Sequence, residues 1–374
     1  MGNRPSTMEM LAVIEMRVFA DIYRGKRVLV TGHTGFKGSW LSLWLREMGA
    51  EVTGIALPTE SQPSHWAMLK LPMDDFRINI CHYDALVDVF TEKRPEIVFH
   101  LAAQPLVRRS YRDPLETWST NVMGTANVLE ACRQTSTVRA IVVVTTDKCY
   151  ENQEWSWGYR ENDRLGGHDP YSASKAASEL LAASYRSAFF NTETSPLLAT
   201  ARAGNVIGGG DWSEDRLIPD LVRAIERNQS LEIRSPNATR PWQHVLESLS
   251  GYLLLGQKLL IGDKAFVGAW NFGPQLDGNL TVVEVLNRLH HQWEKVSWYV
   301  SEKTQPHEST LLYVDSAKAH GKLEWQPVWS LDTTLTETVD WYRAWTEEGK
   351  AISNQQLAEY VSAARQAQAV WAVS

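Results

Sequence analysis

The chain has 374 residues, 44% of them apolar, and 37 basic against 44 acidic side chains, a net charge of −7. That is enough apolar content to bury a large core in one large or two moderate domains. With no long basic run, the charge speaks against nucleic acid and anionic membranes as partners, while local basic sites remain available for a phosphorylated small molecule. Cys81, Cys132 and Cys149 are odd in number and lack C-x-x-C spacing, which argues against a disulfide framework or a zinc site and fits a reducing cytoplasm. No His/Asp/Glu set has metal-site spacing, so no catalytic metal is expected.

Residues 8–23 lean apolar but include Glu9, Glu15 and Asp21, so they lack the uncharged core of a signal peptide or spanning helix. They read as a short leading helix. Beyond them, short apolar runs alternate with helical patterns. Strands are expected over 27–31, 51–56, 96–101, 139–145 and 197–202, and helices over 36–48, 83–92, 114–134 and 171–190. This alternation predicts βαβ units and a doubly wound α/β domain, its parallel sheet covered on both faces. After Asn205 the texture changes to Gly- and Pro-rich loops, which suggests a smaller mixed α/β substrate domain. Segments 245–260 and 270–272 read as returns to the sheet. The expected division is therefore discontinuous: 1–204 with about 243–272 for a dinucleotide, and about 205–242 with 273–374 for a substrate.

Thr31-Gly32-His33-Thr34-Gly35-Phe36-Lys37-Gly38 follows the first strand and opens the first helix. Glycines there permit a tight turn and close backbone approach, and the helix N-terminus offers N–H groups and a positive dipole end to a pyrophosphate. The spacing is G-x-x-G-x-x-G rather than G-x-G-x-x-G. An acid that would bind the adenosine ribose is missing from the end of the second strand, Gly54 to Pro58. His33 or Lys37 is then a candidate neighbour of a ribose or phosphate.

Tyr171 and Lys175 lie one helical turn apart on one face. An ammonium close to a phenol favours the phenolate and lowers its pKa from about 10, which makes a base usable near neutral pH. Thr146 adds a hydroxyl at a strand end. Asp147 and Lys148, adjacent to it, supply an acid and a base that a simple dehydrogenase does not need. His100 and His244 read as hydrogen-bonded packing histidines, and the many tryptophans, Trp155, Trp157, Trp212 and Trp242 among them, chiefly as packing.

The glycine loop and the Thr146/Tyr171/Lys175 set resemble the extended short-chain dehydrogenase/reductase family. Thr146-Asp147-Lys148 resembles the Thr-Asp-Glu of its sugar-nucleotide 4,6-dehydratases, with Lys148 where Glu usually stands. Further blocks narrow the resemblance: His100 to Arg108, Gly158 to Asn162, Arg202 to Trp212 and Arg240 to Val245 are similar to the branch acting on CDP-D-glucose. The inverting UDP-N-acetylglucosamine 4,6-dehydratases share Asp-Lys but not these later blocks.

This resemblance, over roughly residues 22 to 345, implies NAD as cofactor, held by Gly32, His33, Gly35, Phe36, Lys37, Gly38, Asn79, Leu101, Ala102, Ala103, Tyr171 and Lys175. Asn79 stands where the family usually has Asp near the adenine. It implies Gln104, Asn205 and Arg240 as substrate contacts, Arg240 pairing with the diphosphate. The implied reaction is CDP-D-glucose to CDP-4-dehydro-6-deoxy-D-glucose plus water, feeding deoxysugars of bacterial surface polysaccharide. Tyr171, with Lys175 and Thr146, takes the O4 proton; Asp147 protonates the C6 hydroxyl; Lys148, or a group it positions, removes the C5 proton. A homo-oligomer, dimer or tetramer, is implied, with helices 114–134 and 171–190 as candidate contacts. Two alternatives stay open. A nucleotide-sugar 4-epimerase would use Tyr171 and Lys175 but has no work for Asp147 and Lys148, and an NAD-sensing binding protein would be expected to have lost Tyr171 or Lys175.

Overall fold

The computed structural model describes residues 16–275, 278–301 and 311–373. Six strands, β1 (Arg27–Thr31), β2 (Glu51–Ala56), β3 (Asp74–Arg77), β4 (Ile97–His100), β5 (Ala140–Val144) and β6 (Leu197–Ala203), join the strand Gly268–Phe272 in one sheet. The spatial order is β3-β2-β1-β4-β5-β6 and then Gly268–Phe272, every neighbouring pair parallel. Strand order reverses between β1 and β4, so a ligand crevice is expected outside the carboxyl ends there. β4, β5 and β6 are buried at every position, and β5, Ala140 to Val144, is apolar throughout. Successive side chains alternate between faces. Val142 and Val144 enter the core built with helix α1 (Phe36–Glu47) and the helix Val245–Leu260. Ile141 and Val143 enter the core built with the helices Tyr83–Lys93 and Thr125–Gln134.

Several expectations change. β3 escaped notice because it is a mostly exposed edge with little apolar signal. The span 114–134 is not one regular helix: Pro114–Trp118 and Thr125–Gln134 are joined by a π-helical segment, Ser119–Gly124. Its buried Asn121 donates to the Gln104 carbonyl (3.1 Å) and Ser174 Oγ (2.8 Å). The stretch 245–260 is a helix lying over the sheet rather than a strand. Of the leading helix, residues 8–15 lie outside the described residues; Phe19–Asp21 form one 3₁₀ turn, with Phe19 stacked on Trp371. Trp40, Trp44, Trp270, Trp325, Trp341 and Trp371 are fully buried.

Three two-stranded pairings flank the sheet: Val206–Ile207 with Gln243–His244, Thr239–Pro241 with Asn279–Thr281, and Leu231–Ile233 with Trp298–Val300. The 208–210 loop between them is seated from below. Trp40 Nε1 donates to the Gly209 carbonyl (2.9 Å), and Trp341 leaves no room for a side chain at Gly209.

Beneath the carboxyl ends of β5 and β6, Arg202 pairs with Glu179 of the helix Pro170–Ala188 at 2.8 Å, both side chains at most 3% exposed. Glu179 also accepts from Thr145 Oγ1 (2.5 Å) and Thr200 Oγ1 (2.7 Å). Arg202 donates to Tyr150 Oη (2.8 Å) and the Glu161 carbonyl (3.1 Å). Glu179→Ala strands a buried guanidinium and two hydroxyls, so a loss of about 3–5 kcal/mol is expected in chemical denaturation. A loss below about 1 kcal/mol would show that the pair does not hold these elements.

Candidate active site

A cavity of about 1650 Å³ runs along the carboxyl ends of the central strands, from the glycine loop to the loops carrying Asn205 and Arg240. The three glycines of the loop serve different needs. Gly32 has φ +77°, and a Cβ there would lie 2.7 Å from the Ala102 nitrogen. At Gly38 a Cβ would overlap the Gly32 carbonyl oxygen. At Gly35 neither reason holds: φ is −77°, and a Cβ would meet only the Gly32 oxygen, at 3.4 Å. Gly35 is exposed to the cavity and begins α1, whose N-terminus has no side-chain cap. A glycine here is explained by an anion approaching the backbone, so this cradle fits the pyrophosphate of a dinucleotide.

His33 does not share that cradle. It is wholly buried, its Nε2 2.8 Å from Asp75 Oδ1 and its ring edge-on to Trp66, and a Cβ at Gly54 would lie 2.5 Å from its Nδ1. The loop turns it under β2, and the expectation that it meets the cofactor is corrected to a packing role. Lys37 does line the cavity, and its Nζ donates to Tyr252 Oη at 3.2 Å. Burial pushes Lys37 down to about 7, with Arg216 and Lys175 adding to the shift and Asp147 opposing it.

Leu101, Ala102, Ala103 and Asn79 also line the cavity. The Leu101 and Ala102 N–H groups donate to Thr31 Oγ1 at 3.2 Å, and His100 is buried between Thr31 and Thr125. Asn79 Oδ1 accepts from Cys81 N–H (2.9 Å). Gln104 reaches the cavity wall, but its amide is spent on its own surroundings. Nε2 donates to the Leu106 carbonyl and Thr117 Oγ1, and Oε1 accepts from Leu106 N–H. In the structure these bonds hold the loop that carries it.

After β5 the chain makes a 3₁₀ turn, Asp147–Cys149, capped by Thr146. Thr146 Oγ1 accepts from Lys148 N–H (3.3 Å) and donates to Asp147 Oδ1 (3.0 Å). Asp147 is 4% exposed, and a Cβ on Gly204 would come within 2.8 Å of its Oδ2. Burial raises its pKa; Lys148, Thr146, Arg240 and Lys37 pull it down. The Lys148 side chain lines the cavity.

The helix Pro170–Ala188 begins with Asp169 accepting from Ser172 N–H (2.9 Å) and Pro170 in its first turn. That start places Tyr171 and, one turn on, Lys175 against the end of β5. Tyr171 and Thr146 both line the cavity. The expected lowering of this phenol by Lys175 is not what the geometry gives. Burial pushes Tyr171 up to about 12, opposed by Thr146 and Arg216. Lys175 instead donates to the Val144 carbonyl (3.3 Å) and is itself pushed down to about 8 by burial, Glu179 opposing.

Asn205 and Arg240 line the far end of the cavity, Arg240 donating to the Thr239 carbonyl at 2.9 Å. Sequence reasoning missed the groups opposite. Arg108 and Arg234 both reach Asp215, at 3.3 and 3.5 Å, and Tyr252 meets Lys37. No local motif marks them, because only the fold brings these segments together. His244 packs edge-on to Trp329, its Nδ1 accepting from Leu246 N–H.

The sheet order, the glycine cradle and the Thr146/Tyr171/Lys175 cluster define an extended short-chain dehydrogenase/reductase. Residues 29–338 match the family model described as GDP-mannose 4,6 dehydratase, and the chain belongs to that family. A CDP-glucose 4,6-dehydratase of Salmonella typhimurium is 48% identical over 352 residues, covering 92% of this chain and 98% of its own. A probable dTDP-glucose 4,6-dehydratase of Sinorhizobium fredii is 27% identical over 84% of this chain and 92% of its own. Among solved structures, an epimerase of Methanothermobacter thermautotrophicus is similar with TM-score 0.79 and 25% identity, covering 92% of this chain and 98% of its own. A UDP-glucose 4-epimerase of Thermus thermophilus in complex with NAD gives 0.73 and 25%, over 84% and 98%.

The glycine loop generates a paired prediction. Gly35→Ala is expected to weaken dinucleotide binding at least about tenfold, about 1.4 kcal/mol, with stability within about 0.5 kcal/mol of the parent. Gly38→Ala collides inside the protein and should cost about 1–3 kcal/mol of stability. Titration calorimetry and thermal melts separate the two; a Gly35→Ala protein that binds normally would remove the anion from this cradle.

Proposed function

We propose that this protein converts CDP-D-glucose to CDP-4-dehydro-6-deoxy-D-glucose and water, with NAD as cofactor. The observation that carries the reading is the convergence of Tyr171, Thr146, Asp147 and Lys148 at one strand end in a chain 48% identical to a CDP-glucose 4,6-dehydratase. An epimerase would use the phenol but leave a buried acid and its neighbouring lysine without work. NAD would be held by Gly32, Gly35, Phe36, Lys37, Gly38, Asn79 and Leu101 to Ala103, and supplies a hydride acceptor and a positive charge at its nicotinamide.

In this reading Tyr171 receives the O4 proton as C4 is oxidised, and Thr146 orients the phenol. The carbonyl formed at C4 acidifies the C5 hydrogen. Lys148 takes that proton and later returns it, and Asp147 protonates the departing C6 hydroxyl. Oxidation at C4 and reduction at C6 cancel, so no external reductant is consumed. Arg240 is suited to the diphosphate through its planar guanidinium, and Asn205 to the sugar. Lys175, held on the Val144 carbonyl in the cavity wall, would meet the cofactor in this reading.

We also propose that residues 1–204 with about 243–272 serve the dinucleotide and 205–242 with 273–374 the nucleotide sugar. Exposed Leu115, Trp118, Met123 and Leu180 on the helical segments of 114–134 and on Pro170–Ala188 support a homo-oligomer through those helices. Sedimentation velocity should show a dimer or tetramer, and a Leu115→Lys, Leu180→Lys variant should sediment more slowly. None of the helices among the described residues is long and apolar enough to cross a membrane, and we place the protein in the cytoplasm.

Incubation with CDP-, UDP-, dTDP- and GDP-hexoses tests the assignment. A 4-keto-6-deoxy product is expected from CDP-D-glucose; a C4 epimer would identify an epimerase instead. Tyr171→Phe should lower turnover at least about a hundredfold with substrate binding nearly unchanged, and near-normal turnover would remove Tyr171 from its role.

A further inference from the structure

At the end of the cavity that holds the glycine loop, a carboxylate is fixed in place by another part of the chain. β2 ends at Ala56, and the carbonyl of the next residue, Leu57, accepts from Thr34 Oγ1 of the glycine loop (3.1 Å) and from Arg77 Nη1 at the end of β3 (3.2 Å). The segment that follows presents Glu60 to the cavity, and Arg109 of the short helix Val107–Arg112 meets it there. Arg109 gives Nη1 to both oxygens of Glu60 (2.9 and 2.8 Å) and its other edge, Nε and Nη2, to Glu116 (2.9 and 2.6 Å). Fold stability does not explain this clamp. The Glu60 side chain is 67% exposed, and an ion pair so open to water contributes little. What the clamp fixes is a carboxylate at the cavity wall. Of its roughly four acceptor sites, Arg109 takes two.

Building on the reading that NAD occupies this cavity, we propose that Glu60, clamped by Arg109, receives the hydroxyls of the adenosine ribose and so selects NAD over NADP. A dinucleotide with its pyrophosphate on the Gly35 cradle and its adenine at Asn79 has its ribose between them, over the end of β2, where the segment 57–60 runs. β2 itself ends without an acid. Glu60 supplies one a few residues later, about 20 residues beyond the glycine motif, the spacing at which an acid meets this ribose in dinucleotide folds.

The chemistry discriminates in two ways. Vicinal hydroxyls donate a pair of hydrogen bonds, which matches the acceptor sites that Arg109 leaves. A phosphate on the 2′ oxygen removes one of those donors and brings further negative charge against the carboxylate. Two carboxylates on one guanidinium keep this corner negative, because Arg109 is divided between Glu60 and Glu116. Arg77 is committed as well, to Asp75 (2.6 Å) and the Leu57 carbonyl. Arg109 touches neither hydroxyl; it is a positioning residue.

Titration calorimetry of the full-length protein with NAD, NADP and an NAD that carries 2′-deoxyadenosine tests this without turnover. The parent should bind NAD at least about a hundredfold more tightly than NADP, and about tenfold more tightly than the deoxy form, as expected for one hydrogen bond to a charged group. Glu60→Ala removes the acceptors and frees Arg109 Nη1 for a phosphate. Its melting temperature should match the parent's, the deoxy penalty should shrink to within about twofold, and the preference for NAD over NADP should fall below about tenfold. Arg109→Lys keeps the charge but not the two-edged fork, and should also reduce the deoxy penalty. An unchanged preference in Glu60→Ala, a variant that loses NAD and NADP alike with a lower melting temperature, or an unchanged deoxy penalty in Arg109→Lys would overturn the proposal and leave the cofactor reading standing. A parent that binds neither dinucleotide would overturn that reading, and the role of Glu60 with it. Gly35→Ala should weaken NAD and NADP by the same factor, so the ratio of the two reports on Glu60 and not on the cradle.

Discussion

A buried Glu179 carboxylate and Arg202 guanidinium, 2.8 Å apart, lock three elements into one register. Arg202 belongs to β6, Glu179 to the helix Pro170–Ala188, and Thr145, which bonds the same carboxylate, to the end of β5. Charges so far from water are tolerable only when paired and hydrogen-bonded, so none of the three elements can slide without stranding one. Tyr171, Lys175 and Glu179 follow at four-residue intervals on one helical face. Thr146 follows Thr145 directly. The place of the phenol against the end of β5 is therefore inherited from the ion pair two turns below.

Above that anchor, burial makes every isolated charge expensive. It drives Lys37 toward about 7, Lys175 toward about 8 and Tyr171 toward about 12, and it raises Asp147. Such a site favours proton transfers that stay between neighbours over exchange with solvent. A redox-neutral dehydration, in which hydride and protons are redistributed within one sugar, suits that constraint. Basic residues, Arg234 and Arg240 among them, line the far end of the cavity.

Much of the fold was legible in the sequence because β4 to β6, covered on both faces, are mostly apolar, with β5 wholly so. Glycines at 32 and 38 were legible because tight turns admit little else. β3 left no trace, since Asp74, Asp75 and Arg77 are exposed on an edge strand. Within the site, spacing named Tyr171 and Lys175 as one helical face but could not report that Lys175 turns to the Val144 carbonyl. His33 stands inside the glycine motif, yet the turn sends its ring under β2 toward Asp75. Gln104 satisfies its own loop, a local hydrogen-bonding choice invisible in the letters. Arg108, Asp215 and Arg234 are far apart in the chain and meet only because the loops converge on one cavity.

In the proposed dehydration one site removes hydrogen from C4 and delivers it to C6 of the same sugar. Turnover of CDP-D-glucose carrying deuterium at C4, with the product read by NMR, tests this directly. Deuterium is expected in the C6 methyl group of a 4-keto product. Deuterium retained at C4, or an unlabelled methyl group, would contradict it.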